Sequence, residues 1–87
     1  MALQFPNASR IYDEARQCVT FWGHDSMFEI AFHLDNDVLQ RFTPHPHKDE
    51  AASLRVFDGN RARIEHAASS VYSRKHSRLN RLSTSDF

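Results

Sequence analysis

The clearest pattern of hydrophobic and polar positions lies in residues 27–34, MFEIAFHL, where every second residue is large and apolar. Strict alternation over such a run predicts a β-strand with one buried face. Residues 18–22, CVTFW, are rich in β-branched and aromatic side chains, which favour strands. Between the two runs, residues 23–26, GHDS, are turn-forming. The pattern therefore predicts a β-hairpin.

A second pattern, with steps of three and four residues, follows Asp49. Its apolar positions are Leu54, Phe57, Ile64, Ala68 and Val71. This spacing puts them on one face of a helix, and Asp49 is suited to cap its first turn. We predict one long helix that ends near residue 75. A bend is expected at residues 58–60, because Gly59 costs about 1 kcal/mol relative to alanine inside a helix.

Shorter elements complete the prediction. Residues 3–5, LQF, suit a short edge strand, because the proline that follows cannot donate a ladder hydrogen bond. Residues 13–16, DEAR, suit a turn, and residues 35–37, DND, suit the start of a short helix. Residues 79–82 are expected to return as a short strand.

The hairpin and the helix each have one apolar face, and each face needs a partner to leave water. We therefore predict an α+β fold, with a small antiparallel sheet of about three or four strands and the long C-terminal helix packed across one face. The 87 residues fit a single domain, residues 1–87, with one modest core.

A two-layer fold leaves the other face of the sheet open, unless the terminal strand or the short helix folds over it. Trp22 and Met27 lie on that second face or at its turn in the predicted hairpin. Exposed aromatic and large apolar side chains on a small sheet indicate a partner surface. Both residues are therefore candidate partner-binding residues.

Arg61 completes the apolar stripe of the helix, where a charged residue is unexpected. A guanidinium in that place needs a partner or must direct its head to water. We consider two interpretations: a partner or anion contact, and a structural ion pair with Asp13, Glu29 or Glu65.

The eleven basic and eleven acidic residues cancel, so the charge of the whole chain favours neither nucleic acid nor membrane. Residues 61–81, however, hold six basic residues and one acid. Within them Arg74, Lys75, Arg78 and Arg81 are candidate anion-binding residues. No helix-turn-helix, zinc-finger or RNA-binding signature accompanies them. Binding of nucleic acid or another polyanion is therefore the alternative function and not the favoured one. The other interpretation is a solvated helix end whose cations favour the helix dipole.

His45 and His47 stand one residue apart between prolines, and in extended chain their imidazoles project to the same side. They are candidate metal ligands. A structural zinc takes four ligands. Asp49 and Glu50 are near enough in the sequence to complete the set, as is His24, but nothing in the spacing requires it. We therefore favour a solvated loop and expect no cofactor.

Catalytic motifs are absent from the sequence: there is no GxSxG turn, glycine-rich phosphate loop or HExxH helix. The single cysteine, Cys18, lies between apolar neighbours and is expected to be a packed thiol. One cysteine allows no intrachain disulfide, which suggests a reducing compartment. No run approaches the roughly 20 apolar residues of a membrane span, and residues 1–10 lack signal-peptide features. We expect a cytoplasmic protein without membrane contact.

Three stretches carry a resemblance to a known family: LQFPNASRIYDEARQCVTFWG, MFEIAFHL and FDGNRARIEHAA. The distinctive residues are Phe5-Pro6, Tyr12-Asp13, Val19-Thr20-Phe21, and Phe57 followed by Asn60-Arg61. Over nearly its whole length the chain resembles the domain of unknown function 1488 family of small uncharacterised bacterial proteins, although residues 73–85 depart from that pattern. The resemblance implies a small α+β fold with no assigned activity, cofactor or site residues. We expect a non-enzymatic module that acts through an unknown protein partner or through self-association.

Overall fold

In the computed structural model, which describes residues 3–6, 8–43 and 49–87, helices pack on one face of a mixed β-sheet. The elements in chain order are β1 (Leu3–Gln4), β2 (Arg10–Asp13), β3 (Cys18–Asp25), β4 (Phe28–Asp35), α1 (Asn36–Arg41), α2 (Glu50–Gly59), α3 (Arg61–Lys75), β5 (Leu79–Leu82) and a 3-10 turn, Thr84–Asp86. The α+β class is confirmed, and a long C-terminal helix, α3, packs on one face of the sheet as predicted.

The predicted hairpin forms the centre of the sheet. Strands β3 and β4 pair along their full length, with Cys18 opposite Asp35 at one end and Asp25 opposite Phe28 at the other. Strands β1 and β2 both pair antiparallel with the free edge of β3, and β5 pairs parallel with β4. The sheet therefore differs from the predicted one in having five strand segments and one parallel pairing. The parallel direction follows from the helical connection between β4 and β5, which returns the chain to the same end of the sheet.

Gly23 belongs to strand β3, although the sequence placed it in the turn. The turn contains only Ser26 and Met27, and Ser26 adopts the left-handed conformation with φ 58°. A Cβ atom at Gly23 would lie 2.9 Å from Phe5 Cε1 and 3.1 Å from Leu3 Cδ1. Glycine is therefore needed for close approach of the first segment of the chain, rather than for a turn.

The core lies between the helices and the inner face of the sheet. Phe21 and Phe32 stack with ring centroids 5.2 Å apart, and the Phe57 ring of α2 meets Phe21 edge-on, also at 5.2 Å. The other fully buried residues of the predicted helix stripe are Ile64, Ala68 and Val71. Ile64, Val71 and each of the buried phenylalanines contribute about 1.5–3 kcal/mol by leaving water. The predicted contact between the helix stripe and the hairpin is confirmed.

Phe28 is a correction to the predicted buried strand face. Its side chain is 47% exposed at the hairpin end of β4, and the Arg78 guanidinium lies 4.4 Å from its ring centroid. Alternation in a strand determines which way a side chain points, but burial also needs a second layer above that position.

The predicted long helix is two helices, separated at Asn60, where the backbone leaves helical geometry with φ −123° and ψ 20°. The Asn60 side chain donates a hydrogen bond to the Val56 carbonyl at 2.9 Å, which closes the end of α2. At the other end, Asp49 caps α2 by accepting from the Ala52 amide at 2.6 Å. Both the predicted cap and the predicted bend are confirmed.

Candidate functional site

The face of the sheet opposite the helices, here called the outer face, carries alternate residues of all five strands. Its side chains, from the pairing register, are Gln4, Ile11, Asp13, Cys18, Thr20, Trp22, His24, Glu29, Ala31, His33, Asp35, Leu79 and Arg81. None of them belongs to the hydrophobic core cluster. In the part of the chain that the structure describes, the outer face therefore has no second layer.

Apolar side chains cross this face from one edge strand to the other. Ile11 on β2 is 58% exposed and Leu79 on β5 is 57% exposed. Trp22 lies between them on β3, half-buried, with Ala31 of β4 as its cross-strand partner. Strand β2, which contributes Ile11, was missed in the sequence, although its short alternating run RIYD is compatible with a strand.

The predicted partner-binding residues occupy three different places. Trp22 lies on the outer face as expected, and Met27 is 86% exposed in the hairpin turn. Arg61 lies on the helix side of the sheet, where its Nε donates to Glu65 Oε2 at 2.9 Å and its guanidinium lies 5.1 Å from the Phe57 ring centroid. Of the two interpretations of Arg61, the structure shows the ion pair with Glu65.

An open groove of about 520 Å³ runs along the outer face near β5. Its lining residues are Arg16, Cys18, His33, Asp35, Leu79, Asn80 and Arg81. At its centre His33 Nδ1 lies 2.8 Å from Thr20 Oγ1 and 3.7 Å from Cys18 Sγ. Thr20 and His33 are cross-strand partners, so the hairpin register brings these groups together. The sequence could have indicated this cluster only if the pairing register of the two strands had been predicted.

The Cys18 thiol is buried under its neighbours on this face. Burial raises the pKa of Cys18 above its ordinary value, only partly offset by the hydrogen bond with Thr20. Because the thiolate is the reactive form, a thiol that stays protonated near neutral pH is a poor nucleophile. The cluster of Cys18, Thr20 and His33 is thus suited to packing and hydrogen bonding.

Ion pairs flank the groove. Arg81 Nε donates to Asp35 Oδ1 at 2.7 Å, and this hydrogen bond raises the pKa of Arg81. Asp35 precedes α1 but does not cap it with its side chain, because the carboxylate faces Arg81 instead. On the other side, Arg16 donates to Asp13 through its guanidinium at 2.9 Å and through its backbone amide at 3.0 Å, which lowers the pKa of Asp13. The charges of the outer face are therefore largely balanced within it.

The predicted anion-binding residues do not form one free basic patch. Arg81 holds Asp35 on the outer face, and Arg78 covers the Phe28 ring. Arg74 and Lys75 lie in the last turn of α3, and Arg74 lies 3.5 Å from Asp86. Anion binding by these residues stays a prediction.

The predicted metal ligands, His45 and His47, lie outside the described residues, so this hypothesis also stays a prediction. Among residues 3–6, 8–43 and 49–87, no cluster of three or more His, Cys, Asp or Glu side chains is arranged to hold a metal ion. Within the same ranges, none of the helices combines the length and the apolar character needed to cross a bilayer.

Comparison with known proteins gives one family and one similar fold. The family model described as protein of unknown function (DUF1488) matches residues 3–80. The crystal structure of a protein of unknown function from the DUF1488 family of Shewanella loihica PV-4 superimposes with a TM-score of 0.82, at 14% sequence identity, over 92% of this chain and 90% of that one. At this identity the likeness shows the fold alone. No curated protein matches the chain.

Proposed function

The chain belongs to the DUF1488 family of proteins of unknown function, and from its own surface we propose that it is a non-enzymatic module that associates with a second copy of itself through the outer face. The observation that supports this proposal is that none of the described elements covers the outer face of the sheet. It presents Ile11 and Leu79 more than half exposed, with Trp22 between them. The free energy falls when a second surface excludes water from apolar side chains in such an arrangement.

The dimensions of the face favour a weak dimer. Strands β3 and β4 have eight residues each, so the face is about 26 Å long, and four strands side by side span about 19 Å. Two such faces together bury on the order of 1,000 Å², which is near the lower limit of specific interfaces. Association in the micromolar range is therefore expected.

The charge of the face favours a second copy over a strongly charged partner. Of its three acids, Asp13 pairs with Arg16 and Asp35 with Arg81, whereas Glu29 lies 4.0 Å from His24. When two copies of a surface with balanced charges associate, the interface carries no large excess of positive or negative charge. A two-fold dimer also lets Arg16 or Arg81 of one copy approach an acid of the other.

Sedimentation velocity over a dilution series tests the proposal, with the single tryptophan as a second probe. Dissociation should shift the Trp22 fluorescence to longer wavelength as water reaches the indole. Leu79→Asp and Ile11→Asp each put a carboxylate on the outer face, and each should weaken the dimer by about tenfold or more. Ala62→Asp is the matched control, because Ala62 is exposed on helix α3.

A wild-type protein that stays monomeric up to high micromolar concentration would overturn the proposal. So would equal weakening by Ala62→Asp and by the two outer-face variants, because the effect would then come from net charge. The alternative of nucleic acid or polyanion binding has weaker support, since Arg74, Arg78 and Arg81 each already contact a partner side chain.

A further inference from the structure

A second concave surface, here called the arginine pocket, lies on the helix side of the sheet. It has a volume of about 260 Å³ and brings together the end of α1, the first turn of α3 and the 3-10 turn after β5. Its lining residues are Val38, Arg41, Phe42, Arg63, Thr84 and Phe87. None of these residues is on the outer face, so the pocket is separate from the proposed association surface.

Arg41 and Arg63 differ from the arginines that are held by ion pairs. In the described part of the chain, neither has a carboxylate within 4.0 Å, whereas Arg10, Arg61 and Arg81 each have one. The first turn of α3 contains no acid that could neutralise Arg63 from its own helix. Two arginines thus line one small pocket, and an anion bound there would be attracted by both.

Aromatic side chains hold this arrangement in place. The Arg63 guanidinium lies 4.3 Å from the centroid of the Phe42 ring, and Phe42 meets the Phe87 ring edge-on at 5.5 Å. Stacking occupies the flat face of a guanidinium and leaves the N–H donors at its rim for an acceptor. Thr84, half-buried in the same pocket, adds a hydroxyl group.

We propose that the arginine pocket binds a phosphate group carried by a small molecule. A phosphate monoester carries a charge of about −1.5 to −2 at neutral pH, which two arginines can match. A carboxylate carries a single negative charge and would leave one arginine without a counterion. The guanidinium fork also suits phosphate oxygens, and the rings of Phe42 and Phe87 offer an apolar wall for the organic part of the ligand.

Two-dimensional NMR titration at low ionic strength tests the site, with inorganic phosphate, phenyl phosphate and acetate as probes. Phosphate and phenyl phosphate should shift the amide signals around Arg41, Arg63 and Thr84, with phenyl phosphate the tighter of the two. Acetate should bind at least about tenfold more weakly, because it satisfies one charge. Binding of phenyl phosphate should also weaken as the pH falls below about 6, where its dianion takes up a proton.

Arg41→Gln should weaken phosphate binding by about tenfold or more, since it removes one charged hydrogen-bond donor. Arg63→Lys keeps the charge but loses the stacked fork, and it should also weaken binding. Arg55→Gln, on the exposed surface of α2, is the matched control and should leave the affinity unchanged. Leu79→Asp on the outer face should also bind phosphate normally, so failure of self-association would not affect this test.

Three results would overturn the assignment: no saturable signal shift with either phosphate probe, equal affinity for acetate, or equal weakening by Arg55→Gln and Arg41→Gln. Far-ultraviolet circular dichroism of each variant ensures that a loss of binding is measured on folded protein. A signal shift confined to residues far from the pocket would also overturn the assignment.

Discussion

The two glycines of the chain, Gly23 and Gly59, should respond to the same substitution with opposite changes in stability. At Gly23 an added Cβ would lie 2.9 Å from Phe5 Cε1 and 3.3 Å from the Gln4 carbonyl oxygen. The Phe5 ring has little room to move, because it packs on Phe21 and Phe32 with centroids 6.2 and 6.1 Å away. Overpacking of this kind costs about 1–3 kcal/mol.

Part of that cost is offset, because alanine loses less conformational freedom than glycine on folding, a gain of about 0.4–1 kcal/mol. Gly23→Ala should therefore lower the free energy of unfolding by about 1–2 kcal/mol, the difference between these two terms. At Gly59, the last residue of α2, a Cβ would have no atom of the described residues within 4 Å, and the φ angle is not positive. Gly59→Ala should therefore raise the free energy of unfolding by about 0.5–1 kcal/mol.

Urea unfolding followed by circular dichroism measures both changes from the transition midpoints at a common slope. All samples need one protein concentration, because self-association would add to apparent stability. The two variants should differ by about 2 kcal/mol, which is readily resolved. In the Gly23→Ala background, Phe5→Leu should recover part of the loss, and the two changes should not be additive. Equal or greater stability of Gly23→Ala would refute the reasoning, since it would mean that the Phe5 segment yields at no cost.

Three further predictions concern named contacts. Tyr72→Phe removes a hydroxyl that donates to Asp25 Oδ2 at 2.6 Å, and it should lower the midpoint of urea unfolding. In the wild type the same hydrogen bond raises the pKa of Tyr72, so the late phenol ionisation in an alkaline spectroscopic titration should be lost in Tyr72→Phe. Cys18 should react slowly with Ellman's reagent at neutral pH and rapidly in denaturant, because burial raises its pKa; fast reaction of the folded protein would contradict this. Arg10 donates two hydrogen bonds to Asp58, and they lower the pKa of Asp58 below its ordinary value of 3.8. The ion pair therefore stabilises the fold above pH 3.8, and this contribution is lost as the pH falls through the lowered pKa. Asp58→Asn should accordingly be less stable than wild type at pH 7, with a smaller difference in acid; an unchanged difference would contradict it.

Local chemistry in the sequence determined most of the elements of this protein, although strand β2 was not recognised from it. The alternation in residues 27–34 requires only neighbours two positions apart, and the helix stripe requires neighbours three and four apart. The Asp49 cap and the break at Asn60 likewise depend on a few adjacent residues. The layer architecture followed as well, because two apolar faces in a chain this short have only each other to cover.

Only the tertiary structure decided which distant residues meet. The sequence offered three acids for Arg61, and the structure shows Glu65. The contact of His33 with Thr20 depends on the register of two strands, and the parallel direction of β5 depends on the path of three helices. The meeting of Arg41 and Arg63 in one pocket joins residues 22 positions apart that no periodicity relates. Periodicity and capping act over a turn or a strand, whereas register and chain path are settled by packing of the whole core, and both candidate sites depend on that packing.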